Sequence, residues 1–534
     1  MVIVKDLIRS RRASIGPLHT ASKGARAAVN RVVAETPLVP YRDTVSREQY
    51  ELPLPHTIER GSKPVAKAAD TPGETGYRAR QALFEKYADK LAINTELSRA
   101  LVSFQANKTQ PVYRWFKYKE AFSTEFAQWI LAKFRPRTTR VPIVLDPFAG
   151  GGTTLHTAAK RGWQSIGIEL LSPAVAAIQA RTLATQIDVD RFNRAVNPVA
   201  KIDWRRTCEG HSYLRHLRIT QGAYAPETET ALANYSSYVA RIRDPNTREL
   251  MRFAAMCVLE EISYTRKDGQ YLRWDSRSPR DLRSQFNKGA ISDFPTAIAR
   301  QLQMMAADLA RREDVRIVPP TLTQGSLLEK LPALRAHSVD LILTSPPYCN
   351  RYDYSRTYAL ELAYLGCTEE EISRLRQTLL SATVENKSKR DALREMYRAL
   401  KRSEDFVQAE RVFDAQAALH EALGHLNGAR AREELNNANI PKMIANYFFE
   451  MNIVVREFAR VLRKGGRVVM VNDNVQYHGE EIPVDLILSE FADAAGLDTE
   501  SIWVLGRGKG NSSQQMGVHG RNELRKCVYV WSKR

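Results

Sequence analysis

Cysteine is scarce in this chain: its 534 residues include five, at Cys208, Cys257, Cys349, Cys367 and Cys527. No two form a C-x-x-C pair, so neither a disulfide framework nor a thiolate zinc site is indicated, and a reducing compartment fits. Long apolar runs are missing too. No stretch approaches the roughly 18 residues needed to cross a bilayer, and Val2 to Ile8 is too short and too charged for a secretory signal. The expectation is a cytoplasmic protein with no membrane contact. No cluster of metal-ligand residues appears, so no metal is called for, and no fixed-period repeat is visible.

Positive charge is abundant. Against 60 Asp and Glu stand 79 Lys and Arg, a net +19, which points to a polyanionic partner such as nucleic acid. The length exceeds one ordinary core, which predicts two or three domains or one domain with large insertions. Residues 1–35 hold seven basic and two acidic side chains, a mix found in transit peptides and in solvated basic arms, and the arm is the expectation. Residues 1–76 read as an irregular basic lead-in. Helical spacing over "RARQALFEKYADKLAINTELSRALVSF" predicts a helix pair, and Ser123 is a plausible N-cap for the next helix. "VPIVLD", "TTLHTAAKRG" and "QSIGIEL" then form a βαβ unit within a first segment, 77–192. Residues 193–312 lack strand-helix rhythm and read as an insertion. The rhythm resumes over 313–366, stops for a helical insertion at 367–438, pictured as a helical hairpin, and returns over 439–534.

Within "LDPFAGGGTTLHTAA", Asp146 stands at a strand tip and Gly150, Gly151 and Gly152 fill the turn that opens a helix. Glycines tolerate positive φ and let a ligand approach the backbone, which suits a nucleotide-like cofactor. The turn is neither G-x-G-x-x-G nor Gly-Lys-Ser/Thr, so neither a pyrophosphate nor a triphosphate is required. Glu169 follows Gly150 by 19 positions, at the next strand tip, where an acidic residue accepts ribose hydroxyls. A second corner closes another strand. In "LILTSPPYCNRYDY", Pro346 and Pro347 fix two φ angles and remove two donors, leaving a preset turn whose carbonyls are free to accept.

DPFAGGGTT together with TSPPY resembles the amino-methyltransferases of restriction-modification systems, which move a methyl group from S-adenosylmethionine to an exocyclic nitrogen of a DNA base. "RWFKYKEAFS" is similar to the segment that precedes the glycine turn in that family. The match covers about 111–170, 317–365 and 440–534, under half the chain. The resemblance implies a Rossmann-like α/β fold with a mostly parallel seven-stranded sheet. It implies that Asp146, Pro147, Phe148, Ala149, Gly150 and Gly152 cradle the methionine part of S-adenosylmethionine, that Glu169 holds the ribose, and that Lys119, Phe122 and Ser123 close over it. Where the family often has an acidic residue for the adenine amine, this chain has Ser326. No metal is implied.

The same resemblance implies the chemistry of Ser345, Pro346, Pro347 and Tyr348. The lone pair of an exocyclic amine is delocalised into the ring, and acceptors on its hydrogens, the Ser345 oxygen and the Pro346 carbonyl, would aim that pair at the methyl donor. Tyr348 would stack on the flipped base. Serine at this first position is commoner among cytosine N4 enzymes, so N4-methylation of cytosine in double-stranded DNA is the leading expectation. Adenine N6, an RNA base, or an inactive binding protein are the alternatives. A cognate restriction endonuclease would be a functional partner.

Between the matched segments, Arg266, Lys267, Arg273, Arg277, Arg280, Arg283 and Lys288 interleave with Tyr264, Tyr271 and Trp274, as a DNA-reading region requires. Glycine turn first and TSPPY later reverses the order commonest in this subtype. Near the C-terminus Arg507, Lys509, Asn511, Ser512 and Gln514 form a second candidate DNA contact.

Overall fold

Val144 and Leu145 on one strand and Leu341, Ile342 and Leu343 on its neighbour are fully buried, as expected of central strands covered on both faces. The structure is a computed structural model that describes residues 77–206, 214–268, 271–280, 285–312, 317–506 and 524–534, with only the backbone of Tyr271. The lead-in 1–76, Arg283, and the C-terminal candidates Arg507, Lys509, Asn511, Ser512 and Gln514 lie outside the described residues.

The strands are β1 (Leu91–Ile93), β2 (Ile143–Asp146), β3 (Gln164–Glu169), β4 (Thr265–Asp268), β5 (Tyr271–Trp274), β6 (Thr321–Gln324), β7 (Val339–Thr344), β8 (Leu462–Asp473), β9 (Val475–Tyr477), β10 (Glu480–Ile482), β11 (Leu497–Val504) and β12 (Lys526–Lys533). Eight of them form one sheet in the order β1-β11-β12-β8-β7-β2-β3-β6, while β4 with β5 and β9 with β10 make separate pairs. Only β12 runs antiparallel to its neighbours β8 and β11; the other adjacent pairs are parallel. Parallel pairing needs crossovers, which the intervening helices supply.

Among the described residues the sheet has eight strands where seven are expected. The additional one, β1, arises where a second helix is expected after Arg78–Tyr87. Pairing of Leu91, Ala92 and Ile93 with Ile502, Trp503 and Val504 overrides local helical spacing, and Asn94, whose side chain accepts from the Glu96 amide, turns the chain away. The insertion after Cys367 holds four helices, Glu369–Thr378, Arg390–Ala399, Ser403–Asp414 and Ala417–Ala431, where a hairpin is expected. Among the described residues no helix is long and apolar enough to cross a membrane.

The chain runs from β2 outward to β3 and β6, then returns to place β7 on the other side of β2. Connections leaving β2 and β7 therefore part in opposite directions, and a crevice opens at their carboxyl ends. Asp146 ends β2, Thr344 ends β7, and the two predicted corners meet there.

Candidate active site

The glycine turn is shaped by three close neighbours. Gly150 and Gly152 have φ of +49° and +80°, and a Cβ there would sit 2.9 Å from a Tyr118 ring carbon and 2.7 Å from Ile178 Cγ1. Any side chain would meet both backbone strain and contact. Behind the turn, buried Arg181 donates to the Gly151 carbonyl and, at 3.3 Å, to that of Tyr113. Gly152 caps the helix Thr153–Lys160, whose first residue lines the pocket at the crevice.

Two buried carboxylates frame the turn. Asp146 Oδ1 accepts from the Phe148 amide at 3.2 Å and from Thr344 Oγ1 at 2.7 Å, and burial pushes its pKa up to about 6. Glu169 accepts from the amides of Gly150, Leu170 and Leu171 at 2.7 to 2.8 Å. Burial still raises it to about 7, against the pull of those donors. The bond to Gly150 ties the tip of β3 to the glycine turn.

One cavity, about 820 Å³ of empty space counting its open mouth, is lined by Phe122, Asp146, Pro147, Phe148, Ala149, Gly150, Glu169 and Ser326 together with Ser345 and Pro347. The glycine turn and the proline corner thus share one pocket. Sequence reasoning missed other walls, among them Tyr118, Glu120, Thr153, Tyr354, and Thr378, Leu379 and Leu380 from the helical insertion. Tyr118 stacks on Tyr358 at 5.2 Å, and Glu120 accepts from the hydroxyls of Tyr352 and Tyr358. The insertion is held in place by buried Glu450, which accepts from the Ser381 amide, the Ser381 hydroxyl and Lys389 at 2.9, 2.5 and 2.8 Å. The pocket suits an adenosyl cofactor. It offers apolar Leu327, Leu328 and Leu380 for a nucleobase, and the hydroxyl of Thr153 is buried on its wall with no hydrogen-bond partner among the described residues.

Other predicted residues lie beside the pocket. Ser123 is the expected N-cap, its Oγ accepting from the Phe126 amide at 3.1 Å; it is buried and does not line the cavity. Asn107 grips the same segment, donating to the Phe122 carbonyl and accepting from the Thr124 amide at 3.0 and 2.9 Å. Lys119 points elsewhere, its ammonium donating to the Lys267 carbonyl, and burial lowers its pKa. Ser345 Oγ donates to the Val471 carbonyl at 3.1 Å, and the Tyr348 hydroxyl is 3.4 Å away. Tyr348 and Pro346 do not line the cavity; Tyr354 does. Lys526 Nζ lies 5.7 Å from the Tyr348 ring centre and 3.5 Å from Asp473 Oδ1. Burial is the largest single influence and lowers the Lys526 pKa, but the combined pull of Asp473 and Tyr348 overcomes it and raises that pKa to about 12.

The basic segment forms the hairpin β4–β5, in which Arg266 and Arg273 are exposed and directly opposed. Two like charges across a ladder destabilise it unless an anion lies over them. Arg273 also lies 4.1 Å over the Phe286 ring, Arg280 lies 4.4 Å over Trp274, and half-buried Tyr264 donates its amide to Ala223. Lys267 corrects the sequence reading. It is 4% exposed, paired with buried Glu361 and 4.4 Å from the Tyr358 ring centre, so it is an internal strut and no free cation. Arg277 is bidentate to Asp275, and Lys288 donates to the Glu261 and Ser263 carbonyls at a helix end.

No family model matches the chain. It is 42% identical over 498 residues to the type II methyltransferase M.AvaI, both from Nostoc sp. and from Anabaena variabilis, an alignment spanning 91% of this chain and 99% of the relative. To the type II methyltransferase M.BsoBI of Geobacillus stearothermophilus it is 36% identical over 467 residues, 84% of this chain and 91% of that one.

Proposed function

The chain belongs to the type II methyltransferases, and we propose that it methylates double-stranded DNA at a defined sequence, on the exocyclic N4 of a flipped cytosine, within a restriction-modification system. The observation that carries this reading is the shared pocket, in which Ser345 and Pro347 face the glycine turn across one cavity. The sheet order and its crevice favour a Rossmann-like methyltransferase fold built from residues 77–192, 313–366 and 439–534.

S-adenosylmethionine, held there, would supply an electrophilic methyl group. Asp146 to Gly150 would bind its methionine part, Glu169 its ribose hydroxyls, and Leu327, Leu328 and Leu380 its adenine, with Ser326 beside them. The Ser345 hydroxyl donates its hydrogen bond to the Val471 carbonyl, which leaves its oxygen lone pairs free to accept from the target amine. The Pro346 carbonyl, on the turn beside the cavity, would be the second acceptor, and the stiff Pro-Pro turn would keep both from turning inward. Together they restrain the amine hydrogens and direct its lone pair. No strong base would be needed, because transfer would leave a neutral thioether and a cationic, acidic nitrogen that loses its extra proton to water or a carbonyl.

The segment 193–312 would carry target recognition through the hairpin, with exposed Arg266 and Arg273 as its first DNA contacts and Tyr264, Trp274, Arg277 and Arg280 supporting them. The test is incubation with labelled cofactor and random-sequence duplex DNA, followed by mapping and nucleoside identification. N4-methylcytosine at one sequence is expected. N6-methyladenine would replace the base assignment, and unlabelled DNA would overturn the reading.

A further inference from the structure

Beside Ser345 lies a pair of charges that methyl transfer itself does not use. Asp473 ends β8 and Lys526 begins β12, and the two are register partners across that ladder. Their side chains retain 9% and 17% exposure and approach to 3.5 Å. Burying an ion pair is expensive, and apolar replacements of similar size are often neutral or stabilising, so a buried pair is weak evidence for a merely structural role. The Ser345 hydroxyl donates to the Val471 carbonyl, two residues before Asp473 on β8, so the charge pair and Ser345 lie at the same end of the sheet. The Tyr348 ring bridges the two sites, its centre 5.7 Å from Lys526 Nζ and its hydroxyl 3.4 Å from Ser345 Oγ.

A base whose amine sat on Ser345 would have the rest of its Watson–Crick edge open to neighbouring polar groups, and Tyr348 links Ser345 to Lys526. For cytosine that edge continues with two acceptors, a ring nitrogen and a carbonyl oxygen; for adenine it continues with one ring nitrogen and a C–H. A flipped base is read by hydrogen bonds to this edge, and an ammonium group offers donors only. We propose that Lys526, held in position by Asp473, donates to the carbonyl oxygen of the flipped base and thereby selects cytosine over adenine. This rests on the assignment of Ser345 as acceptor for the target amine. Lys526 would be a specificity residue that touches substrate, and Asp473 a positioning residue.

The test uses the full chain and a duplex containing the mapped target sequence. One substrate carries cytosine at the target position. The other carries a 2-aminopyridine nucleoside there, which keeps the amine and its adjacent ring nitrogen but lacks the carbonyl. Wild type should lose roughly 10- to 100-fold in kcat/KM on the analogue, the scale of one base-edge contact. Lys526→Met should lose about as much on cytosine and fall no further on the analogue, so that the two changes are strongly non-additive. Lys526→Arg should keep the cytosine advantage, and Asp473→Asn should reduce it. Binding of S-adenosylhomocysteine should be unchanged in all three. Equal losses for Lys526→Met on both bases, or no discrimination by wild type, would overturn the assignment, and if that variant does not fold Asp473→Asn decides in the same way. Failure of wild type to methylate cytosine at all would instead overturn the proposed function.

Discussion

Thr344 Oγ1 donates a 2.7 Å hydrogen bond to Asp146 Oδ1, tying the strand that runs into Ser345 to the strand that runs into the glycine turn. Both groups are buried, so the bond fixes the spacing between the residues assigned to the methyl donor and those assigned to the acceptor. Thr344→Val keeps the shape and removes the donor. It should destabilise the protein by about 1–3 kcal/mol, because a buried carboxylate loses a partner. It should also weaken S-adenosylhomocysteine binding and slow transfer. Urea unfolding and calorimetric titration check the two effects separately.

Burial pushes the Glu169 carboxyl up to about 7 and the Asp146 carboxyl up to about 6, from ordinary values of 4.5 and 3.8. The folded, ligand-free protein therefore holds these protons more tightly than the unfolded chain. Their contribution to stability is full below about pH 4 and is lost as pH rises through about 6 to 7. Cofactor affinity should move the other way, since ribose hydroxyls donate best to the ionised Glu169. The dissociation constant of S-adenosylhomocysteine should fall as pH rises through about 7. Glu169→Gln should flatten that profile and weaken binding roughly 10- to 100-fold. A wild-type affinity independent of pH from 5.5 to 8.5 would contradict the ribose assignment.

Thr378, Leu379 and Leu380 give the helical insertion a direct place in the pocket assigned to the cofactor, and a smaller adjoining cavity is lined by Leu379, Leu380 and Pro347. Leu380→Ala removes apolar wall from the adenine side and should raise the KM for S-adenosylmethionine about tenfold, the effect of roughly 1.4 kcal/mol. Glu450→Gln should do the same indirectly, by loosening Ser381 and Lys389. Neither change touches the assigned amine acceptors, so kcat at saturating cofactor should stay near wild type. Steady-state kinetics with the cofactor varied distinguishes this from a general loss of fold.

What could be read from the chain depended on the distance over which each feature is determined. The glycine turn, Glu169 and the Ser345 corner were legible because backbone geometry is encoded locally, by glycine, proline and the spacing between strand tips. The helix cap at Ser123 was legible for the same reason. β1 was not, since three residues show no period and only pairing with Ile502 to Val504 makes them a strand. Lys267 was misread because its burial depends on Glu361, 94 positions away. Leu380 and Thr153 had no local signal for a pocket wall; their roles follow from which elements the sheet brings together.

The hairpin gives that misreading a measurable consequence. Arg266 and Arg273 are exposed on one face, whereas Lys267 between them in sequence is buried against Glu361. Arg266→Ala and Arg273→Ala should each weaken DNA binding and reduce the salt slope of log K by about 0.9 per lost phosphate contact. Lys267→Met should instead destabilise the fold by about 3–5 kcal/mol, since it leaves the Glu361 carboxylate buried without its partner. Its salt slope should match wild type. Binding isotherms over a range of salt concentrations, paired with thermal melts, separate the two classes.

Ser345→Ala is the sharpest probe of the catalytic assignment. The Ser345 hydroxyl donates to Val471 and lies on the same cavity as the glycine turn, but its removal leaves Asp146, Gly150 and Glu169 in place. Cofactor affinity should therefore stay within about twofold of wild type, while kcat falls by roughly 100- to 1,000-fold, the scale of losing one oriented polar contact to the reacting group. Ser345→Thr retains an oxygen and should recover part of the rate if the added methyl fits beside Val471. Single-turnover transfer from prebound labelled cofactor isolates this step from DNA binding and product release. If Ser345→Ala transferred at the wild-type single-turnover rate, the amine would have to be held by other acceptors and the corner would be only a turn.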